Sequence, residues 1–138
     1  MLYTGIDLIE IARIERAIGR WGDRFLRRVF TPAELSAYRG RVRSLAARWA
    51  AKEATAKLLG AGLRGLGAAD RSESAVAFTE IEVLSDMHGR PTLALHGQAA
   101  AQAKRLGLRE IALSLSHTHE HAIASVVALV GQGLGPND

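Results

Sequence analysis

The chain has 138 residues, of which 48% are apolar and 23% are charged, proportions that fit one ordinary globular domain. It contains no cysteine, which excludes disulfides, thiolate catalysis and cysteine-bound zinc. The formal net charge is +4, but residues 13–48 hold ten arginines against three acids, so this segment alone carries +7. A basic segment in an otherwise slightly acidic chain indicates an anionic partner, such as nucleic acid, a nucleotide or an acidic protein.

The N-terminus and the apolar runs bear on cellular location. Residues 1–5 lack the basic stretch and apolar run that mark a signal peptide. No apolar run approaches the length of a membrane span, and the lack of cysteine is compatible with a reducing compartment. We therefore expect a cytoplasmic protein with no membrane partner.

The first half of the chain predicts one strand followed by helices. Residues 2–9 predict a strand, and because their apolar side chains run almost unbroken we expect it to be buried on both faces. A helical period follows from Ile11 to Trp21. Residues 31–34 (TPAE) form a capping box with proline at the first helical position. Also predicted are a short helix over 23–29, a helix from 32 to about Tyr38, and a long helix that Ser44 caps and that runs through Leu59 to Gly60.

The second half predicts mainly strands. Residues 60–74 are rich in glycine, serine and charge, and we interpret them as a mobile loop that could cover a ligand. With no internal repeat and no domain boundary, residues 1–130 are predicted to form one domain and residues 131–138 a disordered tail. Between these lie predicted strands over 75–84 and 91–96 joined by a turn over 87–90, a helix over 98–106, and strands over 110–116 and 122–130.

Two carboxylates occupy positions where acids are unusual. Asp7 lies in an apolar run, and Glu53 lies in an alanine-rich helix between Lys52 and Lys57. A carboxylate among apolar neighbours loses hydration and needs a cation or hydrogen bonds in compensation. Mg²⁺ favours one or two carboxylates together with phosphate oxygens and water, and the two lysines indicate phosphate nearby. We therefore predict one Mg²⁺ between Asp7 and Glu53.

Both acids also have simpler interpretations. Glu53 and Lys57 are i, i+4 neighbours that could merely pair on a solvated helix face. Asp7 could be a turn or bulge residue that follows Gly5.

A polar segment ends the strand predicted over 110–116. Strand alternation puts Ser114 and Ser116 on one face and His117 on the other. Hydroxyls and a histidine at a strand end can donate to phosphate, although they could equally be an ordinary polar strand end. With His119 and His121, His117 also forms an H-x-H-x-H pattern, which gives a zinc hydrolase as an alternative.

Arginines cluster on the first predicted helix and just beyond it. Arg13, Arg16 and Arg20 share one helix face, and Arg24 follows. Few acids compensate them, so we favour docking of an acidic partner over a merely solvated face. A basic nucleic-acid-binding module is the alternative from another class of protein, but it leaves Asp7 and Glu53 unexplained.

Taken in order, these segments resemble the holo-acyl-carrier-protein synthase family of 4′-phosphopantetheinyl transferases, over roughly residues 3–130. The segment most specific to that family is 48–54 (RWAAKEA), which resembles its R-[FW]-A-x-K-E-A helix. The other matching segments are 5–8 (GIDL), 30–34 (FTPAE), 89–91 (GRP) and 114–117 (SLSH).

The resemblance implies both a fold and an activity. The implied fold is α+β, a single compact domain with a mainly antiparallel sheet packed on a long helix, of the small trimeric type with active sites between subunits. The implied reaction moves the 4′-phosphopantetheine arm of coenzyme A, the co-substrate, to a serine of an apo acyl carrier protein. Mg²⁺ is the implied cofactor, and adenosine 3′,5′-bisphosphate is the by-product.

Residue roles follow from the same resemblance. Asp7 and Glu53 are expected to bind Mg²⁺. On chemical grounds, apart from the resemblance, Glu53 acting through a metal-bound water is the preferred proton acceptor, with Lys57 as its rival. Lys57 and His117 are expected to stabilise the charge that develops on phosphate. The remaining expected contacts are Arg48, Lys57, Ser116 and His117 with the nucleotide phosphates, Gly89, Arg90 and Pro91 beside the adenine, and Arg13, Arg16, Arg20 and Arg24 with the acidic carrier protein.

Overall fold

A computed structural model describes residues 1–64 and 75–131 of the chain. Most of the predicted loop at 60–74 and nearly all of the predicted tail therefore lie outside the described residues. No helix in the described part is long and apolar enough to cross a membrane. The elements are β1 (Leu2–Glu10), α1 (Ile11–Trp21), α2 (Asp23–Val29), α3 (Pro32–Tyr38), α4 (Val42–Leu59), a 3₁₀ turn (Phe78–Glu80), β2 (Ile81–Ser85), β3 (Pro91–Leu95), α5 (Gly97–Leu106), β4 (Leu108–His117) and β5 (His121–Val130).

Antiparallel strands in the order β1-β5-β4 form the main sheet, and β2 and β3 form a separate hairpin. One face of the main sheet packs on α4, and the other carries exposed apolar side chains. Ile6 is 59% exposed and Leu8 is 62% exposed. The prediction that β1 is buried on both faces is therefore wrong, because an unbroken apolar run does not tell whether the second face is covered by the same chain.

Small residues let α4 lie very close to the main sheet. Alanines fill the inner face of β5 and the facing side of α4, and those at 50, 51, 54, 122 and 124 have no exposed surface. A Cβ on Gly5 would lie 2.2 Å from the backbone oxygen of Ala54, so only glycine permits this approach of β1 to α4. The close packing brings Asp7 on β1 next to Glu53 on α4.

Lys52 lies in a buried polar network and makes no contact with solvent. Its ammonium donates to Glu34 Oε1 at 2.7 Å, to the carbonyl of Phe78 at 3.0 Å and to the carbonyl of Ile81 at 2.6 Å. Glu34 also accepts from the backbone N–H groups of Thr31 and Val83, both at 2.8 Å. An ammonium has three protons, and all three are used. The inference that Lys52 signals a nearby phosphate is therefore wrong, and the residue ties α3, α4 and β2 together.

Element boundaries differ most from prediction at the start of α4 and before β2. The capping box at Thr31 and the αL glycine that ends α4 at Gly60 are confirmed. However, α4 begins at Val42, and Arg41 precedes it without a side-chain cap, so Ser44 is not the cap. The strand expected over 75–84 is a single bridge from Val76 to Leu63, a 3₁₀ turn and then β2.

Candidate active site

Asp7 and Glu53 form a carboxylate pair between β1 and α4. Lys57, one turn after Glu53, donates to Asp7 Oδ1 at 3.0 Å and to the backbone oxygen of Ile6 at 3.2 Å. Burial raises the pKa of Glu53, and the negative charge of Asp7 raises it further, against the opposing charges of Lys57 and Arg13. Two like charges held together in partial burial are relieved by a cation.

This donor set suits Mg²⁺. Two carboxylates leave coordination positions for water and for phosphate oxygens, which is the arrangement that Mg²⁺ prefers in phosphoryl-transfer enzymes. Across residues 1–64 and 75–131, no three His, Asp or Glu side chains converge in a way that could hold a metal. The three histidines at 117, 119 and 121 therefore provide no zinc site in the described part, and the zinc hydrolase alternative loses its support.

A basic cavity of about 310 Å³ lies at the start of α4, lined by Arg41, Val42, Arg43, Ser44 and His117. The first turn of α4 has no acid and no side-chain cap, although helix N-termini favour negative charge. The cavity therefore suits an anion. The sequence prediction gave Arg41 and Arg43 no role, and two arginines just before the predicted start of this helix are the signal that could have identified them.

Arg48 is almost fully buried and is held by protein partners. Its guanidinium donates to the carbonyls of Val83 and Ser44 and to Ser85 Oγ at 3.1–3.3 Å. It also lies 3.6 Å from the centre of the Tyr38 ring, and burial lowers its pKa. Arg48 therefore joins the start of α4 to the end of β2, beside the basic cavity.

The turn from β2 to β3 carries the predicted adenine contacts. Asp86 Oδ1 accepts from the backbone N–H groups of His88 at 2.8 Å and Arg90 at 2.9 Å. Gly89 has a φ of 77°, which favours glycine there. The side chain of Arg90 is exposed, and Pro91 begins β3 in partial burial.

Ser116 and His117 point to opposite faces of the main sheet, as predicted. His117 lines the basic cavity. Ser116 is exposed on the outer face, opposite Ile123 in the strand register, and Ile123 is in turn opposite Leu8. The structure therefore brings His117, but not Ser116, into the cavity.

The arginine face of α1 borders the carboxylate pair. Arg13, Arg16, Arg20 and Arg24 are all exposed, and Arg13 is close enough to lower the pKa of Glu53. Arg20 lies over the ring of the exposed Trp21, 4.9 Å from its centre. A partner bound on this face would therefore lie beside Asp7 and Glu53.

The carboxylate pair and the basic cavity are separate places on one helix. Ser44 lines the cavity and Glu53 belongs to the pair, so about 14 Å of helix separates them at the usual rise of an α-helix. Both lie where the inner face of the main sheet meets α4.

Comparison with known proteins gives a consistent result. The family model described as the 4′-phosphopantetheinyl transferase superfamily matches residues 3–126. The holo-acyl-carrier-protein synthase of Herpetosiphon aurantiacus is 55% identical over 129 residues, which cover 94% of this chain and 99% of that protein. The enzyme of the same name from Chloroflexus aurantiacus is 57% identical over 139 residues, covering 95% of this chain and 100% of that protein.

A solved structure has the same fold. The holo-acyl-carrier-protein synthase of Helicobacter pylori, in complex with coenzyme A, superimposes with a TM-score of 0.75 at 27% identity, covering 91% of this chain and 99% of that one. The predicted α+β fold, with a mainly antiparallel sheet packed on a long helix, is confirmed. With the family model covering most of its length, the chain belongs to the 4′-phosphopantetheinyl transferase superfamily.

Proposed function

We propose that this protein transfers the 4′-phosphopantetheine arm of coenzyme A to a serine of an apo acyl carrier protein. The observation that carries the proposal is the pair Asp7 and Glu53, held next to Lys57 and bordered by Arg13. Relatives that are 55–57% identical over nearly the whole chain are holo-acyl-carrier-protein synthases. Coenzyme A and a carrier protein as substrates also fit the predicted cytoplasmic location.

Asp7, Glu53 and Lys57 would each have a separate role in phosphoryl transfer. Asp7 and Glu53 would hold Mg²⁺, which supplies positive charge against the phosphate oxygens. Lys57, an exposed ammonium paired with Asp7, suits direct contact with a phosphate oxygen. Glu53 is our candidate for the group that accepts the proton of the serine hydroxyl as its oxygen attacks phosphorus.

The basic cavity would bind the nucleotide end of coenzyme A. His117, Arg41 and Arg43 line it and can donate to phosphate. Arg48 supports the same region from inside, because its guanidinium joins Ser44 to Ser85. The turn that follows Ser85 carries Gly89, Arg90 and Pro91, which we propose lie beside the adenine.

Copies of this chain would assemble through the outer face of the main sheet, in a trimer with active sites between subunits. Leu2, Ile6 and Leu8 on β1 and Val127 and Leu129 on β5 are exposed there, and contiguous apolar surface of this kind marks an interface. The distance between the carboxylate pair and the basic cavity also favours a site that a second copy completes. Light scattering should give three times the monomer mass, and Leu8→Asp should reduce it.

The acidic carrier protein would dock on the arginines of α1 and α2. All four side chains are exposed: Arg13, Arg16, Arg20 and Arg24. Arg13 lies close enough to the carboxylate pair to lower the pKa of Glu53. Opposite charges across such a contact mainly speed association and align the partners. Arg13→Glu should raise KM for the carrier protein more than KM for coenzyme A.

Intact-mass spectrometry tests the proposed function directly. An apo acyl carrier protein is incubated with this protein, coenzyme A and Mg²⁺, with EDTA in a parallel sample. A mass gain of one phosphopantetheine arm that EDTA abolishes supports both the reaction and its metal dependence. No gain with several carriers contradicts the proposal. Salt-sensitive binding of DNA or RNA without Mg²⁺ would then favour the nucleic-acid-binding alternative.

A further inference from the structure

The hairpin between β4 and β5 carries a histidine for which the proposed mechanism has no use. Nδ1 of His119 lies 2.8 Å from Nη2 of Arg43, at the start of α4. Arg43 lines the basic cavity together with Arg41 and His117. We propose that His119 is a positioning residue, which orients the guanidinium of Arg43 at this cavity and so raises its affinity for a phosphate group of the nucleotide. The inference rests on the proposed function, since it takes coenzyme A as the ligand.

The contact determines which ring nitrogen carries the proton. An arginine N–H can only donate a hydrogen bond, so Nδ1 of His119 is the acceptor. The proton of the neutral ring is then on Nε2. A ring protonated on both nitrogens has no acceptor and repels the guanidinium. The contact with Arg43 therefore requires a neutral His119.

A neutral acceptor also preserves the charge of Arg43. His119 lines a second cavity of about 500 Å³, and Glu10, Glu15 and Glu120 lie in the same wall. A carboxylate paired with Arg43 would orient the guanidinium but would cancel its charge at the basic cavity. Imidazole orients it and leaves the charge for an anionic ligand. Because the two partners lie on α4 and on the β4–β5 hairpin, the fold itself brings the acceptor to Arg43.

A double-mutant cycle tests whether His119 acts through Arg43. Calorimetric titration with adenosine 3′,5′-bisphosphate measures the affinity of the cavity without a carrier protein and without turnover. We expect His119→Ala to weaken binding by about three- to tenfold, the range for one orienting hydrogen bond. In the Arg43→Ala background the same change should have no further effect. An equal loss in both backgrounds, or no loss in the wild-type background, overturns the proposal.

A conservative variant separates orientation from folding. The amide oxygen of His119→Asn can take the place of the Nδ1 acceptor and does not titrate. Near neutral pH this variant should bind adenosine 3′,5′-bisphosphate as the wild type does. His121→Asn is the matched control, since His121 lies in the same hairpin and lines the same second cavity, and it should leave affinity unchanged. A loss in His121→Asn as large as in His119→Ala would show a general effect on the hairpin.

Kinetics distinguish failure of this inference from failure of the proposed function. In the transfer assay, His119→Ala should raise KM for coenzyme A and leave both kcat and KM for the carrier protein nearly unchanged. If the wild type transfers the arm and His119→Ala has the wild-type KM for coenzyme A, only the positioning role fails. If the wild type neither transfers the arm nor binds the nucleotide, the proposed function fails as well.

Discussion

Two lysine–carboxylate pairs on α4 have the same chemistry in opposite surroundings. Lys52 and Glu34 are 2.7 Å apart, and neither side chain has any exposed surface. Lys57 and Asp7 are 3.0 Å apart, and the side chain of Lys57 is 57% exposed. In the first pair, every proton of the ammonium is donated to a protein acceptor. The second pair lies at the surface, beside the carboxylate of Glu53. A complete set of buried partners indicates a structural pair. Asp7, Glu53 and Lys57 form an incompletely buried group, here called the open group, and such a group indicates a place for a ligand.

Glu53 makes the difference sharper. Its pKa is raised by burial and by the charge of Asp7, and the charges of Lys57 and Arg13 only partly oppose the shift, so the charge of Glu53 is not fully compensated within the fold. In the first network, Glu34 accepts from Lys52 and from two backbone N–H groups, and its charge is balanced within the fold. Of two adjacent residues in one motif, Lys52 thus serves packing, and Glu53 belongs to the proposed magnesium site.

Removing the buried cation should give the largest effect. Lys52→Met leaves the carboxylate of Glu34 buried without its partner, so we expect the free energy of unfolding to fall by about 3–5 kcal/mol. Lys57→Met is the matched control, and its exposed pair should change stability by less than about 1 kcal/mol. Urea unfolding of both variants measures the difference. If both variants lose the same free energy of unfolding, burial does not distinguish a structural pair from one that contributes little to stability.

Removing either carboxylate of the open group should affect catalysis instead. Asp7→Asn and Glu53→Gln should each lower the rate of transfer at least about 100-fold, because each removes a charge from the proposed magnesium site. Glu53→Gln should not lower the melting temperature, because it relieves like-charge repulsion. Asp7→Asn should change it little, because it relieves the same repulsion but weakens the exposed pair with Lys57. Mg²⁺ should raise the melting temperature of the wild type and raise it less in both variants. A variant with full transfer activity would show that its residue does not belong to the proposed metal site.

The open group was predictable from sequence because its signal is local. An acid inside an apolar strand and an acid inside an alanine-rich helix are each visible without any structure, and Gly60 and the capping box at Thr31 fix the neighbouring helix ends. The family motif at 48–54 adds to that signal. The register that places Asp7 next to Glu53 depends on Gly5, whose role is visible only once β1 packs on α4.

The buried network was not predictable, because its partners are distant in sequence. Lys52 meets Glu34 and two carbonyls near residue 80, and helix spacing alone does not show which of two lysines points inward. The pairing of Arg43 with His119 joins positions 76 residues apart. The exposed face of β1 was missed for a related reason, since an unbroken apolar run does not show what covers a sheet.

The packing that brings the open group together can be disturbed by one methyl group. Gly5→Ala would place a Cβ 2.2 Å from the backbone oxygen of Ala54, so β1 must move away from α4, at a cost of about 1–3 kcal/mol. Transfer should fall as well, because Asp7 moves with β1. Gly19→Ala is the control: nothing lies within 4 Å of its added Cβ, and alanine should stabilise α1 by about 1 kcal/mol. Equal stability of Gly5→Ala and wild type would contradict this packing.

The smallest effect concerns the charge of Glu53 itself. Because its pKa is raised in the folded protein, the folded state holds this proton more tightly than the unfolded state does. Stability attributable to Glu53 is then complete below the ordinary glutamate pKa and is lost as pH rises through the raised value. In EDTA, Glu53→Gln should therefore melt at a higher temperature than the wild type at neutral pH, and the gap should close as pH falls below about 4.5. If the difference in melting temperature instead widens toward acid, the folded state stabilises Glu53 as a carboxylate. The charge of Glu53 would then be balanced within the fold, as that of Glu34 is.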